Sequence, residues 1–277
     1  MFASINLLSY EIRAYDLLNV VSTLVLLIFN VVEAERLGIA GVYSSLLSSR
    51  TSNYLKPVFI FLETTMFSII IYALPPLIIG RSFASLFHNF TYGTSAIMYF
   101  GWLISYITLC FVCAFLTGLK PFQRLDLFTP AFPLALTYSK LACFCGGCCR
   151  GFQTPYGFYN YQKGLREFPV QIIESVEALV IFLILMKIRK KVKMGTMFPL
   201  YLMLYSGTRF FSEFLRREPN VLGYIKFAQM FCIIFFLLGL FGFYFTKRYG
   251  TIIDATFVSF YSKIEDRLLK KFRNESI

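Results

Sequence analysis

Long apolar runs alternate with short polar segments along most of the chain. A helix that crosses about 30 Å of hydrocarbon needs about 20 mainly apolar residues, because each residue advances about 1.5 Å. Seven runs meet this requirement, and we predict transmembrane helices near residues 17–33, 57–79, 94–118, 127–147, 169–187, 197–213 and 224–246. The pattern therefore predicts an all-α, polytopic integral membrane protein with seven transmembrane helices.

The fourth run differs from the others, because Pro130, Pro133 and Lys140 interrupt it and a Gly/Cys cluster ends it. An interrupted span is tolerated in a membrane only where it faces protein or a water-filled cavity. We therefore expect the helices to surround a central, lipid-accessible cavity. The predicted membrane domain covers residues 1–250. Residues 251–277 mix apolar residues at helical spacing with basic ones, and they predict an amphipathic cytoplasmic tail.

The composition agrees with a membrane protein, since 57% of the residues are hydrophobic and 15% are charged, whereas soluble domains average about 25% charged. It excludes a disordered protein, a disulfide-stapled miniprotein and an ordinary cytosolic enzyme. The net charge is +12, but the basic stripe with aromatic readers that is typical of nucleic-acid binding is missing. Nucleic acid is therefore not an expected partner.

The positions of the basic residues predict the orientation of the helices. With the N-terminus outside, the cytoplasmic segments and the adjoining Lys187 hold 17 of the 27 Lys and Arg residues. The strongest anchor is the sequence KIRKKVK at residues 187–193. Because cytoplasmic segments carry the excess of Lys and Arg, we expect the N-terminus outside and the C-terminus in the cytoplasm.

Ionisable side chains inside a span cost several kcal/mol unless they are paired or hydrated, so each marks a candidate site. In the sixth span, helical spacing places Tyr205, Arg209, Glu213 and Arg216 on one continuous stripe. Arg209 and Glu213 form either a structural ion pair or a headgroup site. In the headgroup site, Arg209 donates two parallel hydrogen bonds to a phosphate, and Glu213 fixes its guanidinium group.

The fifth span begins FPVQIIE, and its spacing places Gln171, Glu174 and Ala178 on one face of the predicted helix. Pro169 fits the first helical turn, where its missing N–H costs little. Glu174 is either a paired structural carboxylate or a group that orients the site.

A cysteine cluster, KLACFCGGCCRG at residues 140–151, ends the fourth span. Its C-x-C-x-x-C-C spacing is compatible with a structural role, with redox or nucleophilic chemistry, or with a soft metal ion. The one histidine of the sequence, His88, is distant from it, and Cys packs readily in apolar surroundings. We therefore assign no metal ligands from the sequence. Gly146 and Gly147 predict a sharp turn or a close backbone approach.

Five segments resemble, in the same order, motifs of the prolipoprotein diacylglyceryl transferase family. FPVQIIE at 168–174 resembles the family's H-P-[ST]-Q-L-Y-E, and YSGTRFFSEFLRREP at 205–219 resembles Y-G-x-x-R-F-x-x-E-F-x-R-x-P. These two motifs are the specific ones. The weaker matches are IRAYDLL (12–18), IIGRSFASLFHNF (78–90) and KLACFCGGCCRG (140–151).

Members of this family move the sn-1,2-diacylglyceryl group of phosphatidylglycerol onto the lipobox Cys of a prolipoprotein, at the outer face of the bacterial plasma membrane. The resemblance implies the same partners here, with a prolipoprotein or another Cys-bearing acceptor, membrane lipids around the protein and no cofactor. It implies catalytic roles for Lys140, Arg209 and Glu213, and Cys143 and Cys148 are catalytic candidates because they stand at two signature positions. It implies substrate-binding roles for Tyr15, Arg81, Gly151, Gln171, Glu174 and Tyr205.

Several positions depart from the family pattern. The signature Asn and Glu of the family are Cys143 and Cys148 here, and its His-Gly-Gly is the segment 100–102, Phe-Gly-Trp. Lys140 replaces an Arg and keeps the charge without the planar fork. Two alternatives therefore stay open: a related lipid transferase whose own Cys cluster serves a different acceptor, and a non-catalytic lipid-binding or transport-accessory protein on the same scaffold.

Overall fold

A computed structural model describes residues 4–7, 10–36, 120–160, 164–217, 220–222 and 225–275. The predicted second and third spans, together with Arg81 and His88, lie outside these residues. Within the described residues the chain is mostly helical, and its long helices lie at the positions of the remaining predicted spans.

Helix α1 (Ala14–Arg36) contains the first predicted span. The fourth predicted run is divided between α2 (Pro121–Phe128) and α3 (Ala131–Gly146). The division falls just before Pro130, whose nitrogen has no hydrogen to donate to the preceding turn, so α2 does not continue through it. Pro133 lies in the first turn of α3, where no intrahelical donor is required.

Helices α4 (Val170–Ile188) and α5 (Met197–Ser212) contain most of the fifth and sixth predicted spans. A 3₁₀ turn (Glu213–Leu215) follows α5. Because the connection between α4 and α5 is short, the two helices run antiparallel, and the beginning of α4 lies beside the end of α5.

Helix α6 (Phe227–Glu275) begins within the seventh predicted span and continues into the predicted tail as far as Glu275. The predicted boundary between membrane domain and tail, at residue 250, therefore falls inside one helix. Among the described residues, Phe227–Phe260 is the one segment that is long and apolar enough to cross a membrane by length and composition.

Within the described ranges, three short antiparallel hairpins accompany the helices, and the all-α prediction did not include them. They pair β1 (Ser4–Leu7) with β2 (Tyr10–Arg13), β3 (Gln153–Asn160) with β4 (Leu165–Glu167), and β5 (Asn220–Leu222) with β6 (Ile225–Lys226). Each hairpin lies outside the helices, where the backbone N–H and C=O groups need other partners.

Helices α2 to α6 share one apolar core, and α1 packs on α3 through a smaller cluster of Leu26, Ala131 and Ala135. Helices α1 and α4 contact α3, and α5 contacts α4 and α6. The largest shared cluster is formed by side chains of α2 to α6, including Phe132, Ile181, Phe198, Tyr201 and Phe235. This packing fixes the beginning of α4, the end of α3 and the end of α5 next to one another.

Candidate active site

The candidate site is centred on Glu174, which lies in the second turn of α4 and is 4% exposed. Arg216 binds the Glu174 carboxylate through two hydrogen bonds, from Nε to Oε1 at 2.9 Å and from Nη2 to Oε2 at 2.8 Å. Lys140 Nζ lies 2.8 Å from Oε2, and Arg209 Nη1 donates to Oε1. Three cations from separate parts of the chain therefore meet on one carboxylate.

Glu213 is the second carboxylate of the site and is fully buried. Arg209 Nη2 lies 2.5 Å from Glu213 Oε2, and Arg216 Nε lies 3.9 Å from the same oxygen. Arg209 therefore bridges Glu174 and Glu213. Since a buried charge is costly unless it is paired, each of these side chains depends on the others.

The helical stripe predicted for the sixth span is wrong at its last member, Arg216. Helix α5 ends at Ser212, the chain tightens into the 3₁₀ turn, and Arg216 has extended backbone at φ −85°, ψ 150°. This change of backbone direction places Arg216 against Glu174, instead of along the surface of α5.

Gly151 holds the segment after α5 in position. It forms an isolated antiparallel bridge with Arg216, and the neighbouring Phe152 N donates to Leu215 O at 3.0 Å. A Cβ on Gly151 would collide with the backbone oxygen of Phe168. The close approach therefore requires a glycine, and it supports the position of Arg216.

Lys226, at the end of β6, completes the charged group. Its Nζ donates to Glu213 O at 2.6 Å and to Arg216 O at 2.5 Å. We call the whole group the Glu174 cluster: Lys140, Glu174, Arg209, Glu213, Arg216 and Lys226. Its four cations outnumber its two carboxylates, and they still do so when the nearby Glu177 is included. The cluster therefore has an excess of positive charge that suits an anionic ligand.

Three of the four cysteines between residues 140 and 151 converge beside the Glu174 cluster. The Sγ atoms of Cys143, Cys148 and Cys149 all lie within 4.8 Å of one another, and the three thiols are free. Cys145 is not part of this group, because residues two apart on a helix project in nearly opposite directions.

The predicted sharp turn is present at the end of α3. Gly147 has a left-handed backbone with φ 65°, and its N–H donates to Phe144 O at 3.3 Å. Cys148 N donates to Cys143 O at 3.1 Å. Cys149 also has a positive φ, of 57°, which is uncommon for a residue with a side chain. Together these conformations bring Cys148 and Cys149 back towards Cys143.

The surroundings of Cys149 favour its thiolate. Hydrogen bonds from the Cys143 and Cys148 thiols lower the pKa of the Cys149 thiol below its ordinary value. The positive charges of Lys140 and Arg216 lower this pKa further. The cysteine group and the Glu174 cluster are therefore electrostatically connected.

Two other predicted site residues lie beside the cysteine turn. Gln171 is buried, and its Nε2 donates to Cys148 O at 2.5 Å. The ring of Tyr15, in the first turn of α1, packs so closely on Gly146 that a Cβ there would lie 2.7 Å from Tyr15 Cδ2. Gln171 and Tyr15 thus contact the turn from α4 and α1.

Tyr205 lies one helical turn before Arg209, at the margin of the apolar core. It is buried, and its ring stacks on Tyr201 with the centroids 5.9 Å apart. The structure therefore places Tyr205 beneath the Glu174 cluster. Of the eleven predicted site residues, Arg81 alone lies outside the described residues.

Lys226 and Arg150 also belong to the site, although they were not among the predicted site residues. Lys226 is the third residue of the predicted seventh span, a position where a basic residue is typical of a membrane interface. Arg150 Nε donates to Gly147 O at 2.7 Å and lies 3.6 Å from Glu167 Oε2. Arg150 Nη1 has no hydrogen-bond partner within the described ranges, and Arg150 lines a small cavity beside Gln171.

Comparison with known protein families identifies the scaffold that carries this site. The family model described as prolipoprotein diacylglyceryl transferase matches residues 3–245, which include every residue of the Glu174 cluster. The chain belongs to the prolipoprotein diacylglyceryl transferase family. The resemblance inferred from the motifs is thereby confirmed.

Curated relatives give the same result at moderate identity. The phosphatidylglycerol–prolipoprotein diacylglyceryl transferase of Clostridium tetani is 35% identical over 124 residues, which are 40% of this chain and 50% of that protein. The phosphatidylglycerol–prolipoprotein diacylglyceryl transferase of Finegoldia magna is 27% identical over 191 residues, which are 64% of this chain and 77% of that protein. The transferase of the same name from Staphylococcus haemolyticus is 31% identical over 153 residues, which are 50% of this chain and 54% of that protein. The chain thus matches about half the length of two of these relatives.

Membership of the prolipoprotein diacylglyceryl transferase family makes this chain a mostly helical bacterial membrane protein. The long apolar part of α6 agrees with this location.

Proposed function

We propose that the protein transfers the diacylglyceryl group of phosphatidylglycerol to a cysteine thiol of a prolipoprotein. The names of the relatives support this reaction. The observation that carries the proposal is the buried Glu174 cluster, in which cations outnumber carboxylates. A phosphodiester headgroup supplies the negative charge that this cluster lacks.

The proposed chemistry requires little covalent participation by the protein. The acceptor thiolate attacks the glycerol carbon that bears the phosphate, a C–S bond forms and the C–O bond breaks. The electron pair of that bond leaves with the glycerol phosphate. Because negative charge grows on the leaving phosphate oxygen, preorganised cations next to it stabilise the transition state.

Arg209 is the proposed phosphate ligand, because it lies between the two carboxylates and its planar group can donate parallel hydrogen bonds. Lys140 adds charge from α3. Glu174 and Glu213 orient Arg209 and prevent it from turning away. In this proposal Arg150, whose Nη1 lacks a hydrogen-bond partner in the described part of the chain, is a further donor to the headgroup.

The remaining predicted site residues have supporting roles in this proposal. Gln171 and Tyr15 hold the cysteine turn from α4 and α1. Gly151 permits the close backbone approach beside Arg216. Tyr205 supports Arg209 from the core, and Arg81 is a substrate-binding residue by its motif alone.

The proposed architecture has seven transmembrane helices around a lipid-accessible cavity, with the N-terminus outside and the C-terminus cytoplasmic. The basic sequence at 187–193 and the basic tail support this orientation. We expect a single Cys introduced into the tail of a variant without native cysteines to be protected from a membrane-impermeant maleimide in intact cells. Labelling of the tail in intact cells would show that the orientation is the opposite of the proposed one.

The function is tested with purified protein, labelled phosphatidylglycerol and a lipobox peptide, followed by mass spectrometry of both peptide and protein. The expected product is a peptide that carries one diacylglyceryl group on its Cys. Arg217→Lys, at an exposed neighbour of the cluster, serves as the control for variants of Arg209.

Two outcomes would overturn the proposed acceptor. A diacylglyceryl adduct on the protein's own cysteines, with none on the peptide, would favour a related transferase with a different acceptor. Bound phosphatidylglycerol that is recovered intact, with no adduct on either partner, would favour a lipid-binding protein that lacks the chemistry.

A further inference from the structure

The convergence of three thiols at the end of α3 is not required by the proposed transfer reaction. Cys143 lies in the last turn of α3, and the left-handed residues Gly147 and Cys149 return the chain onto it. The three Sγ atoms lie within 4.8 Å of one another, and none of them forms a disulfide. The three thiols are therefore arranged like a set of metal ligands, with no disulfide between them.

We propose that Cys143, Cys148 and Cys149 form a binding site for one thiophilic metal ion, Zn²⁺ or Cu⁺. Metal–sulfur bonds of about 2.3 Å place thiolate pairs about 3.8 Å apart in a tetrahedral site. The three Sγ atoms are within about 1 Å of that separation. Rotation about the side-chain torsions covers such a distance without movement of the backbone.

The charges around the thiols favour a metal bound by thiolates. Each thiol that becomes a ligand gives its proton to solvent, so three ligands bring three negative charges. A bound Zn²⁺ or Cu⁺ offsets two or one of these charges. Lys140, which lies one helical turn before Cys143 on α3, places positive charge beside the ligands.

The surrounding structure positions the ligands. Gln171 Nε2 donates to Cys148 O, and Arg150 Nε donates to Gly147 O. Residues 147–150 therefore have a fixed backbone from which two of the three ligands project. A metal ion bound there would tie this turn to α3, immediately beside Lys140 of the Glu174 cluster.

The test measures metal binding by purified, full-length protein in detergent, after reduction and removal of metal with a chelator. Co²⁺ is the spectroscopic probe, and Zn²⁺ is measured by its displacement of Co²⁺. Cu⁺ is supplied without oxygen in competition with a Cu⁺ chelator, so the two arms distinguish the metals. We expect one equivalent to bind, with a thiolate-to-Co²⁺ charge-transfer band.

Cys→Ser variants identify the ligands. Replacement of Cys143, Cys148 or Cys149 should lower the affinity at least about tenfold, since even residues that only orient a ligand contribute this much. Cys145→Ser is the matched control, because Cys145 belongs to the same motif but not to the converging group. It should bind metal like the wild type.

A second measurement uses the wild type alone, so it does not depend on the folding of any variant. Bound metal should protect Cys143, Cys148 and Cys149 from alkylation, as located by mass spectrometry of peptides, and leave the labelling of Cys145 unchanged. The proposal is overturned if reduced wild-type protein binds neither metal, or if metal protects Cys145 as strongly as the other three. Neither readout depends on transferase activity.

Discussion

The two ends of α5 are both in contact with acidic side chains of other helices, but these acids have different partners. Beside the C-terminal end, Glu174 is held by the cationic side chains of Lys140, Arg209 and Arg216. Beside the N-terminal end, Asp126 of α2 accepts hydrogen bonds from backbone N–H groups. Its donors, in chain order, are Gly195, Met197 at 3.0 Å and Phe198 at 3.2 Å.

The partners show which acids are structural and which belong to a site. The first N–H groups of a helix have no intrahelical acceptor, and Asp126 supplies one for α5. Asp254 of α6 does the same for α2, since its Oδ1 accepts from Phe122 N at 3.1 Å. At the C-terminal end of α5, in the Glu174 cluster, the cationic side chains outnumber the carboxylates. Of the two ends of α5, the one at the Glu174 cluster is therefore the one that keeps positive charge for a ligand.

Of the changes at the two ends of α5, removal of the Glu174 charge should cause the largest loss of stability. Glu174→Gln leaves the buried Arg209 and Arg216 and the half-buried Lys140 without their shared carboxylate. We expect the free energy of unfolding to fall by about 3–5 kcal/mol, the range for breaking a buried ion pair. The measurement is unfolding by SDS in mixed micelles. Glu177→Gln, one turn along the same helix, is the control and should cost less. Equal losses in the two variants would show that Glu174 is not the centre of the cluster.

Substitution of Arg209 tests whether the excess charge serves a ligand. Arg209→Lys keeps the charge and loses the planar fork, so we expect phosphatidylglycerol to bind about 1–3 kcal/mol more weakly, the range for charge-assisted hydrogen bonds. Arg209→Ala should be weaker still, since it also leaves Glu213 with less compensating charge. Lipid binding is measured by native mass spectrometry, with Arg217→Lys as the control. Binding like that of the wild type in both Arg209 variants would make Arg209 a structural residue.

The sequence identifies the charged residues of the site because they interrupt apolar runs. Arg209, Glu213 and Glu174 stand out for this reason, and the structure brings all three together. Their common partner could not be predicted, because the meeting of Lys140, Arg209 and Arg216 on Glu174 depends on the packing of α3, α4 and α5. The position of Arg216 depends in addition on a 3₁₀ turn that helical spacing does not indicate.

The capping acids could not be predicted from local sequence. Asp126 is 69 residues from Gly195 along the chain, whereas the recognisable capping motifs lie within about four residues of the helix start. The short hairpins were missed for a different reason. Their pairing is local, but the sequence around β3 and β4 has no clean alternation of polar and apolar residues.

Loss of the Asp126 cap should have a moderate effect on stability and none on the reaction. Asp126→Ala removes the acceptor of three backbone N–H groups, and we expect a loss of about 0.5–2 kcal/mol, the range for helix caps. Transfer activity of the folded fraction should match the wild type, because Asp126 lies at the end of α5 remote from the Glu174 cluster. A fall in activity larger than the fall in folded protein would contradict the assignment of a structural role to one end of α5 and a site to the other.

The last expected effect is a pH dependence of stability due to Asp126. Burial raises the pKa of Asp126 to about 7, although the hydrogen bonds from Gly195, Phe198 and Met197 act in the opposite direction. In the unfolded chain its pKa is about 3.9, so between these values the folded state binds more protons. The contribution of Asp126 to stability is therefore complete below about pH 3.9. It is lost as the pH rises through about 7.

We expect the difference in apparent Tm between wild type and Asp126→Asn to shift in favour of the variant from pH 5 to pH 8. A difference that is constant over this range would show that the backbone hydrogen bonds outweigh burial at Asp126.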